Sequence, residues 1–89
     1  MADPIRILLA RGGLHTVFQP ILDGASREPI GYEALTRGPA DHELNSPIAL
    51  IAVAAKSGLS TELECECIKS ALTSYRQLRL QGRLFLNVL

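Results

Sequence analysis

Gly31-Tyr32-Glu33-Ala34-Leu35-Thr36-Arg37 is the stretch that decides the fold of this chain. Its apolar and polar residues predict a β-strand, in which successive side chains point to opposite faces of the sheet. Glu33, Leu35 and Arg37 then share one face. A carboxylate and a guanidinium on one face fit a site that binds a metal ion and a phosphate together. The alternative is a solvent-facing side of a sheet that carries a cross-strand ion pair.

The sequence around this strand carries further matches in a fixed order. Upstream lie Phe18-Gln19-Pro20-Ile21, then Asp23, and downstream come Ser57-Gly58-Leu59, Glu62-Leu63-Glu64 and Leu84-Phe85-Leu86-Asn87-Val88. With Pro29-Ile30 leading into Glu33-Ala34-Leu35, this ordered set resembles the EAL family, which comprises bacterial cyclic di-GMP phosphodiesterases and their degenerate receptor relatives. The resemblance extends from about Leu8 to Leu89.

The resemblance implies an α/β fold, because EAL domains are similar to (β/α)8 TIM-type barrels. Such barrels typically need about 250 residues, whereas this chain has 89. We therefore expect residues 1–89 to form a partial EAL domain, the N-terminal third of the barrel. The expected structure is a β-hairpin followed by two helices and a third strand.

Local sequence signals predict the order of the elements. Asp3-Pro4 is typical of a helix start and Gly12-Gly13 of its end, and Asp23-Gly24-Ala25-Ser26 is typical of a turn between two antiparallel strands. Ser46-Pro47 predicts a second helix that Gly58 ends, and Ser60 or Thr61 predicts the cap of a longer helix that reaches about Leu80. The strands are predicted over residues 14–21, 28–37 and 83–89, and a helical stripe over Leu63, Cys67, Ala71, Tyr75 and Leu78, widened by Ile68 and Leu72.

Two residues match the metal ligands of the EAL family. The resemblance implies that Glu33 and Asn87 bind Mg²⁺ or Mn²⁺ in the complete domain, since hard cations prefer oxygen ligands. The alternatives are structural. Glu33 would pair with Arg37 on the strand surface, and Asn87 would be a buried amide that bonds to the backbone at a strand end.

Four residues match positions that contact the nucleotide in this family. Arg37 would hold a phosphate oxygen, for which its planar guanidinium is suited, and Gln19 would lie near the scissile phosphate or a guanine. Leu35 would pack near the ligand. Glu64 stands where many relatives carry the Asp that approaches a guanine edge, and its extra methylene puts that contact in doubt. The structural alternative is that Gln19 is a solvated strand residue and Leu35 a core residue, while Arg37 and Glu64 are surface charges.

Composition limits the other functions. Nine basic and nine acidic residues leave no net charge that would attract a nucleic acid polymer or an anionic membrane, and Trp is absent. The longest apolar run, Ile48 to Ala55, is too short to span a bilayer, and no signal peptide is evident. A cytoplasmic location is therefore expected. Cys65 and Cys67 are expected to be reduced thiols, because residues two apart on a helix do not face each other.

The resemblance implies that the complete domain hydrolyses cyclic di-GMP to linear di-GMP. The further family ligands that decide whether the complete domain is active are expected beyond Leu89. One alternative is a degenerate EAL module that binds cyclic di-GMP or a protein partner without catalysis, and another is an unrelated α+β interaction domain. The 89-residue chain itself is expected to be inactive, and to form an oligomer or pack against the rest of a larger protein through its apolar third strand.

Overall fold

A computed structural model describes residues 4–86 of the chain. Its mixed α/β architecture has a three-stranded sheet with α2 and α3 packed against it, and α1 packs on those two helices. The elements in chain order are α1 (Pro4–Arg11), β1 (His15–Leu22), β2 (Pro29–Arg37), α2 (Pro47–Lys56), α3 (Ser60–Gln77) and β3 (Arg83–Leu86). The predicted order of helix, hairpin, two helices and strand is confirmed.

The sheet has the order β1-β2-β3. β1 pairs with β2 antiparallel, and Gln19 lies opposite Glu33. β3 returns after α2 and α3 to pair with β2 in parallel, and Phe85 lies opposite Glu33 on the other side. The β2-α-β3 connection is the unit from which parallel α/β barrels are built. β1 is at the edge of the described sheet, a position compatible with Pro20, which has no N–H to donate.

The hairpin turn is held by the side chain of Asp23. Its Oδ1 accepts hydrogen bonds from the backbone N–H groups of Ala25 (2.8 Å) and Ser26 (3.0 Å). These bonds, that from Ser26 first, lower the pKa of the Asp23 carboxyl because they favour its charged form. The turn between the strands is thus specified by local chemistry, as the sequence predicted.

The junction between α2 and α3 is a tight reversal. Ser46 caps α2, and its hydroxyl accepts from the backbone N–H of Ala49. At the other end Gly58 adopts φ +70°, and the N–H of Leu59 donates to the carbonyl of Ala54 at 2.8 Å. This is the Schellman arrangement, in which glycine takes the left-handed conformation at low cost.

The hydrophobic core lies between the helices and beside the end of β2. Ile5, Leu50 and Leu63 are its largest fully buried side chains, one from each helix. The loop after β2 contributes buried Leu44, which joins them. All three helices are therefore held together by one small core, and β2 is brought to its rim through α2 and α3.

Both ends of α3 differ from the prediction. Leu59, rather than Ser60 or Thr61, occupies the N-cap position and makes no side-chain cap bond. Its side chain is buried in the core, and that tertiary contact sets the start of the helix. The helix also ends at Gln77 rather than near Leu80, because Arg79 adopts φ +54°. Leu78 therefore leaves the predicted stripe and is 61% exposed.

The rest of the predicted stripe is uneven. Leu63 and Ala71 are buried, while Cys67 and Tyr75 are half-buried. Leu72 is exposed, so the stripe is narrower than predicted on that side. Among residues 4–86, no helix is both long enough and apolar enough to cross a membrane.

We predict that Arg79→Gly stabilises the chain. The left-handed backbone of Arg79 costs a residue with a Cβ about 1 kcal/mol, and glycine removes this cost at the price of a more flexible unfolded chain. The expected net gain is about 0.5 kcal/mol in the free energy of unfolding, measured by urea denaturation. Arg76→Gly, inside α3, is the matched control and should instead destabilise. A loss of stability in Arg79→Gly would contradict the prediction.

Candidate functional site

One face of the sheet is covered by α3. The hydroxyl oxygens of Thr16 and Ser70 are 2.7 Å apart, within hydrogen-bond distance. The rings of Phe18 and Tyr75 meet edge to face, with centroids 6.0 Å apart. These contacts attach the hairpin to α3 through alternate residues of β1. The face on which Glu33 lies is therefore the opposite one.

The opposite face carries the candidate site residues, and we name it the open face. It consists of the β1 and β2 residues that share a side through the observed register, namely His15, Val17, Gln19, Ile21, Gly31, Glu33, Leu35 and Arg37. Directly opposed residues of an antiparallel pair have their Cβ atoms about 5 Å apart, so Gln19 and Glu33 are neighbours, as are Val17 and Leu35. Phe85 extends this face onto β3. The predicted grouping of Glu33, Leu35 and Arg37 on one side is confirmed.

The open face is only partly shielded. Gln19 is exposed, Glu33, Leu35 and Arg37 are half-buried, and the apolar side chain of Phe85 is exposed. Along β2, Glu33 and Arg37 are four residues apart, which corresponds to about 13 Å. The row of Glu33, Leu35 and Arg37 is therefore too long to bind a single ion. Its length matches that of a ligand with several functional groups.

A hydrogen-bonded loop follows Arg37. The guanidinium of Arg37 donates from Nη1 to the carbonyl of Thr36 at 3.2 Å. The loop is tied to the end of β2 by Asn45, whose backbone carbonyl accepts from the N–H of Gly38 and whose side-chain amide donates to the carbonyl of Gly38. A Cβ at Gly38 would lie only 2.2 Å from the carbonyl oxygen of Leu44, so this close approach requires glycine.

His42 holds the far side of the same loop. Its Nδ1 accepts a hydrogen bond from the backbone N–H of Leu44 at 2.9 Å. This bond helps to direct Leu44 into the core, where it is 3% exposed. The loop after Arg37 is therefore ordered by its own side chains, and His42 acts in it as a structural residue.

A mainly apolar cavity lies where β2 ends, between the first halves of α2 and α3. Its volume is about 120 Å³, and its lining residues include Leu35, Glu64, Cys67, Pro47 and Ile51. Small-molecule sites are usually about 300–1,000 Å³, so the described residues form only part of a site of that size. The cavity brings Glu64 to Leu35, two candidates that are 29 positions apart in the sequence.

Cys67 lines this cavity and was not predicted as a site residue. It is half-buried, and burial raises the pKa of its thiol. A hydrogen bond with Thr36 opposes that shift, while the charges of Glu64 and Glu66 add to it. Its helical spacing from Leu63 and Glu64 was a signal that could have placed it at the same surface. Cys65 is exposed, and the structure shows both cysteines free.

The structure groups four of the six predicted site residues on or beside the open face: Gln19, Glu33, Leu35 and Arg37. Glu64 lies at the adjoining cavity rather than on the sheet, and Asn87 lies outside the described residues. Between residues 4 and 86, no three His, Cys, Asp or Glu side chains are close enough to hold a metal ion together.

The EAL domain family model matches residues 2–89, almost the whole chain. The chain belongs to the EAL domain family. This excludes the alternative of an unrelated interaction domain. The probable cyclic di-GMP phosphodiesterase PdeI of Escherichia coli (strain K12) is 36% identical over 77 residues, which are 85% of this chain and 10% of PdeI.

A solved EAL domain has a similar structure. The chain superimposes on the FimX EAL domain from Pseudomonas aeruginosa, bound to c-di-GMP, with a TM-score of 0.69 and 25% identity. The match covers 96% of this chain and 35% of the FimX chain. The β-hairpin, the helix pair and the third strand are thus the local architecture of an EAL domain. The present chain spans about a third of the solved FimX chain.

We predict that Cys65 is alkylated before Cys67. The thiolate is the reactive species, and burial raises the pKa of Cys67 above the ordinary value of 9.0. With iodoacetamide at pH 8, mass spectrometry of Cys65→Ser and Cys67→Ser variants should show slower modification of the variant that retains Cys67. Equal rates would contradict this.

The same shift predicts a pH dependence of stability. A folded-state pKa above the unfolded value means that the folded state holds the proton more tightly. The contribution of Cys67 is therefore complete below about pH 9.0 and declines as the pH rises through its folded pKa. In Cys67→Ala this decline should be absent from urea denaturation curves measured between pH 8 and pH 10.5.

Proposed function

We propose that residues 1–89 form the first third of an EAL barrel that binds cyclic di-GMP and hydrolyses it to linear di-GMP. The observation that carries the proposal is the open face, where Gln19 lies opposite Glu33 and Leu35 and Arg37 continue the row. The 36% identity to a probable cyclic di-GMP phosphodiesterase supports hydrolysis, and the similarity to an EAL domain bound to c-di-GMP supports binding.

Glu33 is the proposed ligand of a divalent cation, Mg²⁺ or Mn²⁺. EAL phosphodiesterases are generally metal-dependent, and Mg²⁺ in proteins is usually held by one or two carboxylates together with waters and substrate phosphate. The half-buried carboxylate of Glu33, with the amide of Gln19 across the strand pair, fits one side of such a shell. Asn87 is the second proposed ligand. When bound, the metal supplies a water of lowered pKa as the nucleophile.

Arg37 and Gln19 are the proposed contacts to the nucleotide. Arg37 presents a guanidinium at the end of β2, where its paired N–H groups can bind phosphate oxygens. Gln19 carries both an amide donor and an acceptor beside Glu33, where it can orient a phosphate or a guanine edge. Leu35 lies between the two polar ends and excludes water from the middle of the row.

Glu64 is the proposed contact to a guanine edge. It lines the cavity together with Leu35, within reach of a ligand that lies over the end of β2. A carboxylate can accept two N–H bonds from guanine, and the longer side chain of Glu changes the distance rather than the charge. The difference between Glu and Asp at this position should therefore affect affinity more than turnover.

Glu33→Gln tests the proposal in the EAL domain of which this segment forms a part. Loss of a direct metal ligand should lower cyclic di-GMP turnover by at least about a hundredfold, because even outer-shell changes cost 10–100-fold. Glu28→Gln, an exposed change at the hairpin turn, is the control and should leave turnover unchanged. Equal activity of the two variants would refute the role of Glu33. Binding of cyclic di-GMP without turnover by the unmodified domain would instead identify a receptor.

The 89-residue polypeptide alone is predicted to show no metal-dependent hydrolysis. Its described residues contain no cluster of three potential metal ligands, whereas hydrolysis by an activated water needs an ordered set of them. Chromatography should detect no linear di-GMP above a protein-free blank in the presence of Mn²⁺. Turnover that Glu33→Ala abolishes would contradict this and would show that the polypeptide assembles a complete site by itself.

A further inference from the structure

Helix α2 is apolar on all sides. Its only charged residue is Lys56, at its last position. The inner side is buried, with Leu50 1% and Ala54 0% exposed, while on the outer side Ile48 is 80% and Ile51 42% exposed. A helix that is hydrophobic all round is normally buried on all sides. The exposed outer side of α2 is therefore a candidate binding surface.

The exposed residues of this side form one stripe. Ile48, Ile51, Ala52 and Ala55 follow the spacing of a single helix face, and we name them the outer stripe. The N-terminal half of the outer stripe carries the large side chains of Ile48 and Ile51, and its C-terminal half carries the small side chains of Ala52 and Ala55. In an antiparallel pair of identical helices, Ile48 of one copy meets Ala55 of the other, and Ile51 meets Ala52. A two-fold axis between positions 51 and 52 thus makes the stripe complementary to itself.

The charges next to α2 favour the same arrangement. Exposed Lys56 ends the helix, and exposed Asp41 and Glu43 lie in the loop before it begins. Antiparallel pairing brings the Lys56 of each copy towards the acidic loop of the other. Parallel pairing would instead place the two Lys56 ammonium groups side by side, where like charges repel.

We propose that the outer stripe of α2 is a homodimer interface and that its occupant is the same stripe of a second copy of this chain. The alanines let the two helix axes approach to about 8 Å. Four residues a side bury less than the roughly 1,000 Å² of a stable interface, so the dimer is weak. The proposal does not rest on cyclic di-GMP binding, although Ile51 also lines the cavity beside Leu35 and Glu64.

Sedimentation equilibrium of the 89-residue chain tests this, with Ile48→Glu as the probe. Its side chain is 80% exposed, so the change spares the core. Ile48→Glu should raise the dimer dissociation constant by at least about tenfold, because it places a carboxylate against Ala55 of the other copy in an apolar interface. Leu72→Glu, on the exposed side of α3, is the matched control and should leave it unchanged. Circular dichroism establishes that both variants are folded.

A cross-link tests the two-fold register. In a Cys65→Ser and Cys67→Ser background, Ala52→Cys places a thiol beside the proposed axis, and a short bis-maleimide should yield covalent dimers. Leu72→Cys should yield few, and Ile48→Glu should suppress those formed at position 52. The proposal would be overturned if the chain stays monomeric at 500 µM. It would also be overturned if Ile48→Glu leaves the dimer unaffected, which would indicate pairing through the sheet.

Discussion

The antiparallel pairing of Gln19 with Glu33 is the constraint on which the rest of this structure depends. Side chains alternate along a strand, so a slip of one residue would move every β1 side chain to the other face. The Asx-type turn at Asp23 sets the loop length and so helps to maintain the register. With that register, the polar row lies on the open face and Phe18 lies towards α3.

The contacts of α3 then select which face is open. Thr16 forms a hydrogen bond with Ser70, and the ring of Phe18 packs on that of Tyr75. Thr36 forms a hydrogen bond with the thiol of Cys67. All three strand residues belong to the helix-facing side, so the candidate ligands are left on the other. A single helix thereby fixes the sheet against the core and points the candidate site away from it. Cys67, whose thiol pKa is raised by burial, lies on this helix-facing side beside Thr36.

The packing of the chain is uneven. The inner sides of the helices share a small core that includes Ile5, Leu50 and Leu63, and α3 covers one side of the sheet. The open face and the outer stripe of α2 carry apolar side chains that the described residues cover only in part. Both are surfaces for further contacts, but their chemistry differs. The open face combines apolar and charged residues, as a ligand site does, whereas the outer stripe is apolar with charges only at its ends.

Sequence by itself determined those features that depend on neighbouring residues. The hairpin follows from the Asp23 turn, the cap of α2 from Ser46, and the shared face of Glu33, Leu35 and Arg37 from the two-residue period of a strand. Only the tertiary structure decided that Leu59 begins α3 and that Arg79 takes a left-handed conformation. Burial of Leu59 and the turn towards β3 override local preferences there. The meeting of Leu35, Glu64 and Cys67 at one cavity was likewise decided by packing, because contacts between residues about 30 positions apart leave no periodic signal in a single sequence.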